Sequence, residues 1–344
     1  MAPSPRLPVA PSPRPRIAVI GTGGSIAFEG RSRLDLAEYS EWGRILQIDE
    51  LLALVPEVNE IARVEGHPFR TLRSTAVRPE DWLELNGLIH QLLSEPEPPA
   101  GIVITHGTNS IEETAYFLHL TVKSETPVVV VGAQRPPTGV SADAQLNLIN
   151  AVRLAAAPEA RGKGVLVMLN DEISSAREVT KSATYRLETF RTHDLGFLGY
   201  VDADGAVAFY RAPTRAHTLA TEFDARGRSA LPRVDVVYSY AGADGVMIDA
   251  LVRHGVAGIV SAGQGAGMAT PAEVESYRAA RAAGILVVQA SRVGSGRVVW
   301  RQKLREAGFV AGDNLNPQKA RILAMLALTV SSDPVEVQRM FDRY

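Results

Sequence analysis

The chain has 344 residues, 46% of them hydrophobic and 22% charged, and a net charge of −2. These are the proportions of a soluble globular protein of about two domains, and the near-neutral balance argues against nucleic acid or an anionic membrane as partner. There is no cysteine, and the seven histidines form neither an H-x-H nor an H-E-x-x-H pair, so neither a metal nor a cofactor is expected.

Residues 1–15 (MAPSPRLPVAPSPRP) are rich in Pro, Ser and Arg and contain no apolar core of a secretory signal, so a flexible or extended tail is expected. No run approaches the roughly 18 apolar residues that span a bilayer, and the expectation is a cytoplasmic protein, or a periplasmic one if a leader has been removed. Residues 16–20 (RIAVI) read as a buried strand. Gly21, Thr22, Gly23, Gly24, Ser25, Ile26 and Ala27 follow it. Glycines let a backbone turn tightly and bring its N–H groups to a ligand. A dinucleotide fingerprint is disfavoured, because Ile26 occupies the third glycine position and no acidic residue ends a second strand at the expected distance. Thr22, between two glycines, carries a hydroxyl with little cover.

Helical patterns follow at 49–55 and 79–93, then a strand at 101–105. That strand runs into Thr105, His106, Gly107, Thr108, Asn109 and Ser110, and a helix opens over 110–123 with Glu112 and Glu113 in its first turn. Polar groups at the carboxyl end of a strand, just before a helix, sit where open α/β sheets bind ligands. A hydroxyl there becomes a nucleophile when a base lies nearby. Strands at 127–132 and 164–169 flank a helix at 144–156, and further polar residues follow the strands: Gln134, Arg135, Ser141, Asp143, Asn170 and Asp171. Lys181 lies between Thr180 and Ser182. A lysine in such a stretch is ordinarily a solvated charge, but a neutral one beside a threonine activates the hydroxyl without histidine.

From 195 to 233 the pattern breaks into hairpin-like pieces, including an Asp-Gly turn in GYVDADGAVAFY. A second cycle follows, with strands at 234–240, 256–261 and 285–290 and helices at 245–254, 271–283 and 317–330. The expected architecture is two α/β domains: 16–211, larger and built on a mostly parallel sheet flanked by helices, and a smaller one at 233–344, joined by a linker at 212–232.

Several blocks, in order, carry a family resemblance: IGTGGSIA, ITHGTNSIEETAYFLHLTV, SADAQLNLINAV, REVTK, VSAGQGAGM and NPQKARILAMLALT. From about Arg16 to Tyr344 the chain resembles the bacterial L-asparaginase/glutaminase family. The resemblance implies hydrolysis of a side-chain carboxamide through an acyl-enzyme, with loss of ammonia. Thr22 would be the nucleophile, and Thr108 with Lys181 the second hydroxyl/base pair. Tyr39 would be the lid tyrosine, and N–H groups near Thr108 would hold the oxyanion. Gly21, Ser74, Thr75, Gly107, Asn109 and Gly242 would fall at substrate-binding positions. The family's usual assembly, a homotetramer built as a dimer of dimers, places each site between two subunits.

The departures from the family pattern concern one task. Asn109 stands where the family has the aspartate that bonds the substrate's α-ammonium, and Ser74-Thr75 where a Ser-Gln pair is expected. Gly242 stands where an asparagine reaches in from the neighbouring subunit. The glutamate expected after the SRV block has no counterpart. An ammonium buried without anionic partners is strongly disfavoured. The expected substrate is therefore a small carboxamide lacking the α-amino group. Ordinary L-asparaginase activity is one alternative, and a non-catalytic ligand-binding homologue another.

Overall fold

The structure, a computed structural model, describes residues 14–344, so residues 1–13 of the expected tail lie outside the described residues. The first sheet has eight strands: β1 (Arg16–Gly23), β2 (Arg63–Leu72), β3 (Gly101–Thr105), β4 (Val128–Val131), β5 (Val165–Leu169), β6 (Glu172–Ser175), and, after the two-stranded ribbon β7 (Thr180–Lys181) and β8 (Phe190–Arg191), β9 (Gly199–Val201) and β10 (Val207–Phe209). Their order is β10-β9-β6-β5-β4-β3-β1-β2. The five strands from β5 to β2 are mutually parallel, and the β6, β9 and β10 end is antiparallel.

The central strands are buried on both faces, which is why they read as unbroken β-branched runs such as Val128–Val131. The chain leaves β1 for β2 on one side and then returns to place β3 on the other. This reversal makes the carboxyl ends of β1 and β3 a topological switch point, where the two flanking loops diverge and leave a crevice.

The second sheet is wholly parallel, in the order β11 (Val234–Tyr238), β12 (Gly258–Gly263), β13 (Leu286–Ser291) and β14 (Val310–Ala311). The helices, in chain order, are α1 (Tyr39–Trp42), α2 (Ile48–Ala53), α3 (Val58–Ile61), α4 (Pro79–Leu93), α5 (Ile111–Thr121), α6 (Ala144–Ala156), α7 (Val246–Arg253), α8 (Pro271–Ala282), α9 (Gln302–Glu306), α10 (Pro317–Ala327) and α11 (Pro334–Arg343). One face of the first sheet packs on α2, α3 and α6. Its other face shares a continuous core with the second sheet, through Ile104, Tyr116, Phe117, Val260, Val288, Leu323 and Phe341 on or between the two. Helices α5 and α10 lie in that seam, and the far face of the second sheet packs on Ile248 of α7 and Tyr277 of α8.

Short elements such as α1, α3, α9, β6 and β14 were not expected, and three larger departures bear on the fold. β1 runs on to Gly23, carrying Thr22 inside the strand. β2 is an edge strand with Pro68, half-buried or exposed along its length, so no apolar run marks it. α11 follows α10 after a break at 328–333 that a single helix to 330 did not anticipate. Asp333 caps it and Pro334 opens it, and it buries Val337, Met340 and Phe341.

Candidate active site

The first loop is shaped by two glycines in the left-handed region, Gly23 at φ 90 and Gly24 at φ 83. A Cβ on Gly24 would lie 2.1 Å from the Gly107 nitrogen, so this position permits the backbone of the first loop to lie against that of the second. The turn also decides which hydroxyl is presented. Thr22 is only 5% exposed, and its hydroxyl donates to the Thr105 carbonyl at 2.6 Å, clamping β1 to β3. Ser25, three residues on, opens a short 3₁₀ turn and lines the cleft, where its oxygen accepts a hydrogen bond from the Tyr39 phenol at 2.9 Å.

The second loop is braced from below. His106 is fully buried and neutral, its pKa pushed down to about 4 by desolvation. One ring nitrogen bonds the Gly107 carbonyl at 2.9 Å, and the other lies 2.9 Å from the Thr114 hydroxyl, which also accepts from the Trp82 indole at 2.9 Å. With Nδ1–H donating to the carbonyl, Nε2 accepts from Thr114. Every polar atom of this small network has a use, so the backbone before Thr108 has few alternatives.

Thr108 is buried and its hydroxyl sits 2.8 Å from Lys181 Nζ. Lys181 also reaches the Asn109 side-chain oxygen at 3.4 Å. Desolvation lowers the lysine's pKa from its ordinary value. Burial raises that of Tyr39, chiefly by desolvation, so Tyr39 is a phenol that donates. The cleft that unites these groups has a volume of about 610 Å³. It is lined by Ser25, Ala37, Tyr39 and Ser40 from the first loop and α1, by Thr108, Asn109, Glu112 and Gln134, and by Lys181 to Tyr185. Among its described lining residues only Glu112 and Lys181 carry charge, and both Glu112 oxygens are already engaged by Thr180, the Lys181 N–H and Asn316.

The expected site residues thus divide. Tyr39, Thr108, Asn109 and Lys181 come together around the cleft, while Thr22 does not line it. Gly21 faces Ile48 of α2 and is a packing position, because a Cβ there would lie 2.8 Å from the Ile48 Cβ. Gly107 fits between Gly24 and Ser74, and Ser74 is anchored by the Ser110 hydroxyl, which donates to its carbonyl at 2.6 Å. Thr75 is exposed outside the cleft, and Gly242 is an exposed turn residue at φ 82 with open space around it. Ser25 was visible only as a polar residue of the glycine loop. Its selection depends on the two positive-φ turns that precede it.

Two family models cover most of the chain: the asparaginase N-terminal model over residues 16–215 and the glutaminase/asparaginase C-terminal domain over 233–341. This chain belongs to the asparaginase family. Its relatives are hydrolases acting on the C–N bonds of linear amides, and so is this protein. It is 43% identical to L-asparaginase 2 of Bacillus subtilis, over 96% of this chain and 87% of that one. It is 41% identical to L-asparaginase 2 of Escherichia coli, over 96% and 93% of the two chains. The crystal structure of a probable cytoplasmic L-asparaginase from Campylobacter jejuni superposes with a TM-score of 0.92 at 42% identity, covering 96% of this chain and all of that one.

Proposed function

We propose that the enzyme hydrolyses a small carboxylate-bearing amide through an acyl ester on Ser25, with release of ammonia. The observation that carries this reading is one cleft lined by two hydroxyls of different setting, Ser25 on the Tyr39 phenol and Thr108 on Lys181. Ser25 is the primary, less hindered and more exposed of the two. Its oxygen attacks the amide carbon, and its proton passes through Thr108 to neutral Lys181. The resulting ammonium returns a proton to the departing nitrogen, and the C–N bond breaks to give ammonia and the ester. Water then attacks the ester, with Lys181 again taking the proton and returning it through Thr108 to the Ser25 oxygen as the ester C–O bond breaks, and the acid leaves. Main-chain N–H groups at the opening of α5 face the developing oxyanion, where one donor contributes about 3 kcal/mol.

The substrate reading rests on charge. The cleft offers hydroxyl and amide donors that can hold a carboxylate but no free carboxylate of its own, so it leaves a substrate α-ammonium unpaired. An amide lacking that ammonium fits best. The second reading, L-asparagine itself, is favoured by the names of the relatives. It requires a carboxylate from a second copy of the chain. Tyr238, Tyr240, Val246, Met247, Met268 and Val293 are large exposed apolar residues at the carboxyl end of the second sheet, and they support a homotetramer with shared sites.

Ammonia release from L-asparagine and from its deamino analogue tests both readings. Higher kcat/KM on the deamino analogue is expected, and efficient turnover of L-asparagine alone would hand the conclusion to the second reading. On the preferred amide, Ser25→Ala is expected to lower kcat by about 10³-fold or more, and Thr22→Ala by less than about tenfold. The reverse pattern would return the nucleophile to Thr22.

A further inference from the structure

Lys181 stands on a weak support. The ribbon β7–β8 that holds it is two residues deep, with Thr180 opposite Arg191 and Lys181 opposite Phe190, and it is closed beyond them only by the bonds of Ser182 and Ala183 to Thr189. Two-stranded ribbons of this kind do not hold themselves in water, yet the Lys181 nitrogen must meet Thr108 at hydrogen-bond distance. The support comes from Glu112, in the first turn of α5 and 5% exposed. One of its oxygens accepts from the Thr180 hydroxyl at 3.1 Å, the Lys181 backbone N–H at 3.3 Å and the Gln318 amide at 3.4 Å. The other accepts from the Asn316 amide at 2.8 Å, which makes a longer contact to the Thr180 hydroxyl at 3.3 Å, and lies 3.9 Å from the Lys319 ammonium. Asn316 is also the N-cap of α10, its side-chain oxygen accepting from the Lys319 N–H at 3.0 Å.

We propose that Glu112 is a positioning residue: its carboxylate fixes the Thr180–Lys181 backbone so that Lys181 meets Thr108, and ties that backbone to the start of α10. The role rests on the reading of Thr108 and Lys181 as the catalytic pair. It is a role of place rather than of charge. The ammonium nearest Glu112 is Lys319, and the fall in the Lys181 pKa has burial as its cause. The two oxygens divide the work. The first holds the catalytic ribbon, with Gln318 of α10 a longer contact at 3.4 Å, and the second faces only the start of α10, so the active site and the seam between the two sheets meet on one carboxylate.

That division supplies the test. Glu112→Asp keeps the charge but withdraws the oxygens by about 1.5 Å, one C–C bond length. Glu112→Gln keeps an acceptor for the Lys181 N–H while turning an amide toward Asn316 and Lys319. Steady-state ammonia release with thermal melts is measured for both, and Asn316→Ala cuts the α10 side should Glu112→Gln not fold. Glu112→Asp is expected to lose about 10²-fold in kcat with KM nearly unchanged, as a displacement near 1 Å does to a positioned group. Glu112→Gln and Asn316→Ala are expected to keep kcat within about threefold although Tm falls. Losses in kcat that follow Tm across the variants, a loss in KM alone, or a reversal of the Asp and Gln results would overturn the proposal. Lys181→Met separates the two failures. Turnover surviving there overturns the catalytic reading, whereas turnover lost there with Glu112→Asp unaffected overturns only the positioning role.

Discussion

The loops after β1 and β3 present the same chemistry, a hydroxyl over a switch point, but are built by opposite means. The first is a backbone construction: two glycines at positive φ turn the chain, and the contact that fixes it is Gly24 against Gly107. The second is a side-chain construction, with Trp82, Thr114 and His106 bracing the backbone and Lys181 holding the hydroxyl. A backbone device tolerates no added atom, whereas a side-chain device can lose one bond and degrade by degrees.

The sharpest way to break this contrast is Gly24→Ala. Its methyl would occupy the space of the Gly107 backbone in a conformation L-residues rarely adopt, so a loss of roughly 4 kcal/mol or more is expected, with activity gone. Urea unfolding monitored with turnover decides it. A variant of near-native stability would mean the loops do not rely on that contact.

On the other loop, Lys181→Met should lower kcat by about 10²- to 10⁴-fold with the fold intact. Lysine acts as base only when neutral, and burial lowers its pKa. Activity should therefore rise with pH through a midpoint below the usual lysine value, and the residual activity of the variant should lack that limb. A pH–rate profile shared by both proteins would remove Lys181 from the mechanism.

Thr114→Val probes the brace itself. It strips a buried indole N–H and a buried imidazole nitrogen of their common partner, at a cost of about 1–3 kcal/mol. Denaturant midpoints should show that loss, with kcat falling by less than in Lys181→Met. An equal fall would make the brace part of the chemistry.

The smallest effect concerns pH. The glycine turn of the first loop, residues 21–27, has no titratable group, but Glu113 beside the second has its carboxyl pushed up to about 7 by desolvation. A raised carboxyl destabilises the fold where it is ionised. That cost is complete above pH 7 and is relieved as pH falls from 7 toward 4.5. Glu113→Gln should therefore stabilise the protein by on the order of 1 kcal/mol at pH 8, with no difference left below about pH 4.5. Tm against pH for the two proteins checks the sign.

The legibility of this chain follows burial. Val128–Val131 and Val165–Leu169 lie buried on both faces, so pattern alone placed them. β2 is a half-buried edge strand whose residues answer to no single face, and it left no mark. In the site, motif and spacing marked the two loops and the segment around Lys181. They favoured Thr22 because a hydroxyl between glycines reads as uncovered, whereas the neighbouring strand supplies the Thr105 carbonyl that takes it up.

The sequence by itself carried the family in its ordered motif blocks, and the mostly parallel sheets and the two loops at their carboxyl ends in local periodicity and in residue types needed at fixed turns. Tertiary structure decided which atoms face the cleft. Ser25 is presented by the turn at Gly23 and Gly24, and Lys181 is seated by a glutamate 69 positions away that is held in turn by Asn316. Such choices depend on contacts between segments far apart in the chain, and no local pattern of side chains encodes them.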